Sequence, residues 1–330
     1  MTAPGAKASG EDDLIARYFR PLATDPGAFG LVDDAALLKS SGDDLVVTTD
    51  AIIEGVHFLP DDPPGTVARK ALRVNLSDLA AKGAVPAGFV LTVALREARD
   101  EWLAPFARVL GEDASAFGCP VLGGDTVSTP GPLMISVTAF GRVPPGKMVR
   151  RTTAKPGDRI AVTGTIGDAA LGLRVLKGIA SEGLDTAARE LLVQRYRVPQ
   201  PRSALALAVR DHASAAMDVS DGLAGDLAKL CAASGVSAAV DLGAVPLSAP
   251  ARALLANSSA DIETMVSGGD DYEVLCAVPE NRWDSFVAAA QQAGVQVTAI
   301  GRIEAGTAAP RFLDMTGQPV VLKRLSYSHF

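Results

Sequence analysis

Apolar positions along the chain fall into runs that fit strands and runs that fit helices, in alternation. LVVTTD (45–50) is a short β-branched run that reads as a buried strand. In TVARKALRVNLSDLAAKG (66–83) apolar residues return every three or four positions, which predicts a helix closed by Gly83 as a left-handed residue past its end. GFVLTVAL (88–95) reads as a strand, 101–118 as mostly helix, and LMISVTAFGRV (133–143) as a long strand. The stretch 143–158, VPPGKMVRRTTAKPGD, breaks the pattern with Pro, Gly and basic residues and reads as a linker. After it the alternation restarts. Strands are expected at RIAVTG (159–164), SAAMDVS (214–220), VSAAVDL, YEVLCAV and VQVTAIGRI. Helices are expected after Gly167, near 186–196 and 202–211, and over 222–235 and 281–294. Such alternation predicts layered α/β architecture in two domains: residues 11–148 and 149–330, behind a flexible lead-in over 1–10.

Composition narrows the function classes. The chain has 330 residues, 48% hydrophobic and 21% charged, enough apolar content for a substantial core. A formal net charge of −7 argues against nucleic acid or an anionic membrane surface as partner. No apolar run approaches the roughly 20 residues of a membrane span, and the first residues lack the apolar segment of a signal peptide. Cys119, Cys231 and Cys276 form no C-x-x-C pair, and an odd count disfavours a disulfide framework. Together with three scattered histidines they make a zinc site unattractive. The expectation is a reduced, cytoplasmic protein.

What remains distinctive is a set of aspartates beside Gly, Thr and Ser. They are Asp33-Asp34, Thr48-Thr49-Asp50, Asn75 with Asp78, Gly123-Gly124-Asp125-Thr126, and Asp218-Val219-Ser220-Asp221-Gly222. Gly268-Gly269-Asp270-Asp271 repeats the Gly-Gly-Asp of the fourth in the second half. Most read as lying at strand ends, where open α/β sheets place ligands. Mg²⁺ takes hard oxygen ligands, usually one or two carboxylates plus phosphate oxygens, so dispersed aspartates converging on one cleft would suit a metal-held triphosphate. Each motif alone fits a turn or a helix cap equally well. A polyanion beside carboxylates also requires cations to invert the local charge. Lys70, Arg150, Arg151 and Lys155 are the basic candidates, though the last three fit a solvated linker as well.

Several familiar sites are absent. No G-x-x-x-x-G-K-[ST] occurs, since Gly146-Lys147 is followed by Met148, and there is no H-R-D or D-F-G. The stretch from Gly164 to Gly172 reads as a tight strand-to-helix turn rather than a phosphate cradle.

Read in order, Asp33-Asp34-Ala35, Thr49-Asp50, Gly55-Val56-His57-Phe58, the string from Asn75 to Ala84 (NLSDLAAKGA), Gly123-Gly124-Asp125-Thr126, Lys155-Pro156-Gly157-Asp158, Asp218-Val219-Ser220-Asp221-Gly222-Leu223, Gly268-Gly269-Asp270-Asp271-Tyr272-Glu273 and the terminal His329-Phe330 carry a resemblance. Over residues 11–330 the chain resembles the thiamine-monophosphate kinase family, within the superfamily of aminoimidazole ribonucleotide synthetase. The resemblance implies two α/β domains of that type, with the N-terminal sheet forming a homodimer interface. It implies ATP-dependent phosphorylation of thiamine monophosphate to thiamine diphosphate, by direct transfer with no covalent intermediate and therefore no nucleophilic residue. Several Mg²⁺ ions are expected, on Asp34, Thr48, Thr49, Asp50, Asp78, Asp125, Asp218 and Asp221. Gly124, Asp125, Arg151 and Ser220 are expected at ATP, and His57, Asp270 and Tyr327 at the acceptor. The alternatives are another ATP-dependent enzyme of the superfamily and a non-catalytic nucleotide-binding relative. Two positions depart from the family pattern: Val32 stands where a Gly is usual, and Asp270 where a Glu is usual. A Val held at positive φ would be strained, so a shifted turn is expected there.

Overall fold

The computed structural model describes residues 13–32, 35–179 and 183–327. The lead-in up to Gly10, Asp33, Asp34, His329 and Phe330 lie outside the described residues. Two compact units are present: residues up to Asn75 with Pro86–Arg142, and Leu76–Val85 with Val143 onward.

The first unit carries a four-stranded sheet in the order β1-β4-β2-β3, built from β1 (Asp44–Ile53), β2 (Val85–Leu95), β3 (Val121–Ser128) and β4 (Met134–Val143). Two helices accompany it, α1 (Pro64–Ala81) and α2 (Asp100–Ala116). β2 and β3 run parallel, with Thr92 opposite Asp125. The sheet has one covered and one open face. On β1, Val46 and Ile52 are buried while Leu45, Val47, Thr49 and Ala51 are exposed, the period-2 signature of a strand with one wet side.

α1 ends as its sequence predicts. Gly83 takes φ +70, Ala84 N donates to Leu79 O and Gly83 N to Ala80 O, the paired bonds of a Schellman stop. Residues Leu76–Val85 belong to the second unit, and a Cβ on Gly83 would stand 2.7 Å from Arg210 Cβ there.

The second unit is built on a seven-stranded sheet. Its strands are β5 (Arg159–Thr163), β6 (Ala215–Asp218), β7 (Ser237–Asp241), β8 (Val274–Val278), β9 (Val297–Glu304), β10 (Arg311–Leu313) and β11 (Pro319–Val320), ordered β11-β10-β7-β9-β5-β8-β6. Only β10 and β7 pair in parallel; the other neighbours are antiparallel. The sheet is therefore not of the doubly wound parallel kind for which the strand-end rule for ligands holds. β6 and β8 are buried throughout, which explains their continuous apolar runs. One face (Ile160, Val162, Met217, Leu275) packs on α6 (Leu223–Ser234). The other (Ala161, Ala216, Val274, Cys276) packs on α5 (Ala206–His212) and α9 (Trp283–Gln292). Beyond them lie α3 (Asp168–Leu176), α4 (Thr186–Arg197), α7 (Ala249–Ala256) and α8 (Ile262–Ser267). The layered α/β expectation holds in both units.

Cys119, Cys231 and Cys276 are buried free thiols, and burial pushes them up to about 12, 11 and 12 respectively. No described helix is long and apolar enough to cross a membrane.

α3 and α4 touch backbone to backbone where Gly172 lies, because a Cβ there would stand 2.0 Å from Leu192 O. Gly172→Ala is expected to cost about 1–3 kcal/mol through overpacking, read as a lower urea midpoint with unchanged slope. An unchanged midpoint would mean the helices separate freely.

Candidate functional site

The expected site residues fall into a set in each unit. In the first, β1 runs on to Ile53, so Thr48-Thr49-Asp50 sits inside a strand rather than at its end, and Gly123-Gly124-Asp125-Thr126 lies within β3, which runs to Ser128. The difference arises because backbone pairing with distant strands continues past the motifs: Val127 and Ser128 still pair with Ala94 and Leu95 of β2. Pleating separates the β1 residues. Thr48 and Asp50 share one face; Thr49 points to the other, where its hydroxyl donates to Val137 O (3.2 Å) and accepts from Thr138 Oγ1 (3.0 Å). The structure thus does not bring the Thr49 side chain beside Asp50.

Asp50 is fixed from α1. Its N–H donates to Asn75 Oδ1 (3.1 Å), and Asn75, fully buried, returns its amide to Ala71 O (3.1 Å). That satisfies a buried side chain at both ends and pins the strand register beside Asp50. His57 lies in the turn after β1, where its Nδ1 accepts from Ile53 N (3.0 Å), which assigns the proton of the neutral ring to Nε2. Lys70 is 1% exposed and donates to His57 O (2.8 Å). It buttresses the turn rather than facing a ligand, a correction to its reading as a basic phosphate contact.

On β3, Gly124 is required by packing: a Cβ would stand 2.0 Å from Leu91 O. A cavity of about 420 Å³ is lined by Phe19, Ala28, Leu31, Val93 and Leu122, with Gly123–Thr126 along its wall. The turn approaching it answers the Val32 question. Positive φ falls on Phe29, Gly30 and Leu31 instead (+49, +62, +54), and Val32 has φ −112. The turn is shifted, and Val32 is unstrained.

The second unit holds a cavity of about 440 Å³ lined by four carboxylates, Asp78, Asp218, Asp221 and Asp226, and four basic groups, Lys82, Arg150, Arg151 and Lys229, with Ser220 among them. Asp218 ends β6 and Asp221 precedes α6, the strand-to-helix placement the sequence suggested. Asp226, fully buried, organises the turn. Its Oδ2 accepts from the N–H of Ser220 (3.0 Å), Asp221 (3.0 Å) and Gly222 (3.2 Å). Its Oδ1 accepts from Lys229 Nζ (2.9 Å), which also pairs with Asp221 Oδ2 (2.5 Å). Burial raises the Asp226 carboxyl above its ordinary range; Lys229 opposes that rise. Lys82 Nζ donates to Ala216 O (2.9 Å), and burial lowers its pKa while Asp218 and Asp78 pull it up.

Asp226, Lys229 and Lys82 were not singled out from the sequence. Asp226 carried a usable signal, a carboxylate four residues past Gly222 and able to reach back over a helix start. The lysines carried none, being spaced like any solvated helix residues.

Asp270 sits at φ +73 in the loop before β8, its N–H donating to Ser220 O (2.8 Å). The loop is locked from below. Asp271 accepts from Gly167 N (2.7 Å) and Ala169 N (3.3 Å), and burial holds its carboxyl well above the usual range. That carboxylate occupies the start of α3, so the Gly164–Gly172 segment is a structural turn, as expected, and not a phosphate cradle. Glu273, fully buried, is clamped by Thr163, Arg195 and Arg202. Tyr327 donates its N–H to Asp221 O (2.9 Å), and the residue is 45% exposed.

Among the described residues, no three Asp, Glu, His or Cys side chains stand close enough to cage a metal unaided. The donors fit a hard cation that brings further oxygens with it, since Mg²⁺ keeps waters and phosphate oxygens beside one or two carboxylates. The basic groups among the carboxylates of the second cavity also lessen the repulsion a polyphosphate would meet there.

Residues 32–143 match the family AIR synthase related protein, N-terminal domain, and residues 155–310 the corresponding C-terminal domain. The chain is 46% identical to the thiamine-monophosphate kinase of Caulobacter vibrioides, over 99% of this chain and 93% of that one. The crystal structure of thiamine-monophosphate kinase from Stenotrophomonas maltophilia K279a superposes with a TM-score of 0.82 at 38% identity, covering 94% of this chain and 96% of that one. The structure of AaThiL complexed with AMPPCP and TMP superposes at 0.76 with 30% identity, covering 92% and 97%.

Removing the Asp226 carboxylate leaves three backbone donors without an acceptor. Asp226→Ala is expected to cost about 1–3 kcal/mol in urea unfolding, and Asp226→Asn less, because the amide oxygen can still accept. Equal losses for the two would show that charge rather than acceptance holds the turn.

Proposed function

Because the chain belongs to the thiamine-monophosphate kinase family, we propose that it transfers the γ-phosphoryl group of ATP to the phosphate of thiamine monophosphate, yielding ADP and thiamine diphosphate. The observation that carries this reading is the pairing of full-length identity with a site of the required chemistry. The second cavity sets Asp78, Asp218 and Asp221 among basic groups, beside a turn whose backbone is held rigid. The likeness to AaThiL complexed with AMPPCP and TMP supports ATP as phosphoryl donor and thiamine monophosphate as acceptor.

Mg²⁺ bound through these carboxylates supplies neutralisation of the polyphosphate charge. The chain's own residues do the rest by positioning, which is the main demand of phosphoryl transfer. Asp50 and Asp125, presented by the two edge strands of one sheet, and Asp78, Asp218 and Asp221, presented by a helix and a strand-to-helix turn, are assigned to the metals, with Thr48 and Asp34 completing the set. Thr49 is assigned no side-chain role, because its hydroxyl is committed to β4. Gly124, Ser220 and Arg151 are assigned to the nucleotide. The apolar cavity beside Gly124 has the character needed for a flat base. His57, Asp270 and Tyr327 are assigned to the acceptor. No side chain need form a covalent bond with phosphate.

The open face of the first sheet, with Leu45, Val47 and Ala51 exposed on β1, supports pairing of two copies through that sheet. A homodimer working in the cytoplasm is therefore part of the proposal.

Purified protein with Mg²⁺, ATP and thiamine monophosphate is expected to release ADP and thiamine diphosphate in equal amounts, and EDTA to stop the reaction until Mg²⁺ is restored. ATP bound but no thiamine diphosphate formed would overturn the acceptor assignment. Asp125→Asn is expected to lower kcat by at least about a hundredfold, a loss of roughly 3 kcal/mol of transition-state stabilisation, with unchanged circular dichroism. Near-normal turnover would remove Asp125 from the metal set.

A further inference from the structure

Lys229 occupies an unusual position for an amine in a cation-binding cavity. It stands three residues after Asp226 on α6, and its Nζ bridges Asp226 Oδ1 (2.9 Å) and Asp221 Oδ2 (2.5 Å). The two bonds differ in kind. Asp226 is wholly buried, and its other oxygen is saturated by three backbone N–H groups, so it cannot turn toward another ligand. The side chain of Asp221 is 36% exposed and lines the cavity, as does Lys229, 43% exposed. One carboxylate is an anchor; the other is held by a half-exposed ion pair, worth little net energy. Lys82, in the same cavity, makes a different bond, to the neutral carbonyl of Ala216.

Building on the assignment of Asp221 to the metals, we propose that Lys229 is the exchangeable counter-cation of Asp221. In the metal-free protein its ammonium occupies the cation position on Asp221 Oδ2 and keeps the carboxylate from repelling Asp218 and Asp78. An arriving divalent ion carries twice the charge and out-competes the ammonium at equal distance. Lys229 then stays tethered to Asp226 and turns its Nζ toward the cavity, where an incoming polyphosphate needs positive charge. Metal and nucleotide binding are coupled through this one side chain. Vacating Asp221 for the metal makes Lys229 available to phosphate.

The test measures metal binding without nucleotide, counting free Mn²⁺ by electron paramagnetic resonance. Lys229→Met removes the competitor, so the half-saturating Mn²⁺ concentration is expected to fall about two- to fivefold, the range of a half-exposed ion pair. Lys229→Arg is expected to bind Mn²⁺ as the natural protein does. In an Asp221→Asn background, Lys229→Met is expected to produce no shift, because the shared partner is gone. Lys229→Gln, which keeps a donor for Asp226, carries the same expectation as Lys229→Met and serves if the latter folds poorly by circular dichroism. Unchanged or weaker Mn²⁺ binding by the folded uncharged variants would overturn the exchange. A shift of the same size in the Asp221→Asn background would overturn Asp221 as its seat. A natural protein that makes no thiamine diphosphate would instead count against the proposed reaction, leaving the Mn²⁺ comparison to judge Lys229 separately.

Discussion

The carboxylate of Asp226 is the constraint on which the second unit's site depends. Three consecutive backbone N–H groups, of Ser220, Asp221 and Gly222, converge on one of its oxygens. A turn between a buried strand and a buried helix has few conformations open to it once those three vectors are set. Gly222, at φ +123, adopts backbone angles that a side chain would resist, and a Cβ there would stand 2.7 Å from the Ser267 backbone. The result is a rigid platform that presents Ser220 and Asp221 to the cavity without using their backbones for ligand contact. The tail adds a further restraint, because Tyr327 N donates to Asp221 O.

The same logic recurs one loop away. Asp270 and Tyr272 both hold positive φ, an arrangement that costs energy in non-glycine residues and persists only where the surroundings enforce it. The enforcement is visible in Asp271, bonded to the start of α3, and in Glu273, clamped by two arginines and Thr163. Buried charges of this kind contribute little net stability. Their value here is geometric: they fix a strained loop that carries one candidate substrate contact. Gly164 is part of that arrangement, since a Cβ there would fall within 2.2 Å of Glu273 Oε1.

Charge balance in the second cavity bears on how an acidic site could receive a polyanion. From the sequence, clustered aspartates meant strong dependence on bound cations. Four basic side chains stand among the four carboxylates of this cavity, one of them a lysine anchored to a buried aspartate. The protein therefore carries part of the neutralising charge itself, and the metals would supply what remains.

Most of the alternation of strands and helices, though not β3, β10, β11, α7 or α8, was legible from periodicity and local chemistry, as were the stop at Gly83, the unpaired cysteines and the strand-to-helix turn at Asp218–Asp221, because each depends on neighbours within a few residues. The family was legible from motif order. Where β1 ends was not, nor that β3 forms at all, since their hydrogen-bond partners lie far along the chain and carry pairing through the acidic motifs. Nor was the fate of Thr49, decided by which face of the pleat meets β4, or of Lys70, decided by the carbonyl of His57. Asp226, Lys229 and Lys82 looked like ordinary helix residues. Their importance comes from what the fold packs against them: burial that forces Asp226 to collect donors, and an aspartate placed within reach of an amine. The sequence by itself determined which groups with the right chemistry exist and in what order. Tertiary structure decided which are spent on holding the backbone and which are left facing a cavity, because desolvation and hydrogen-bond geometry act only once distant segments meet.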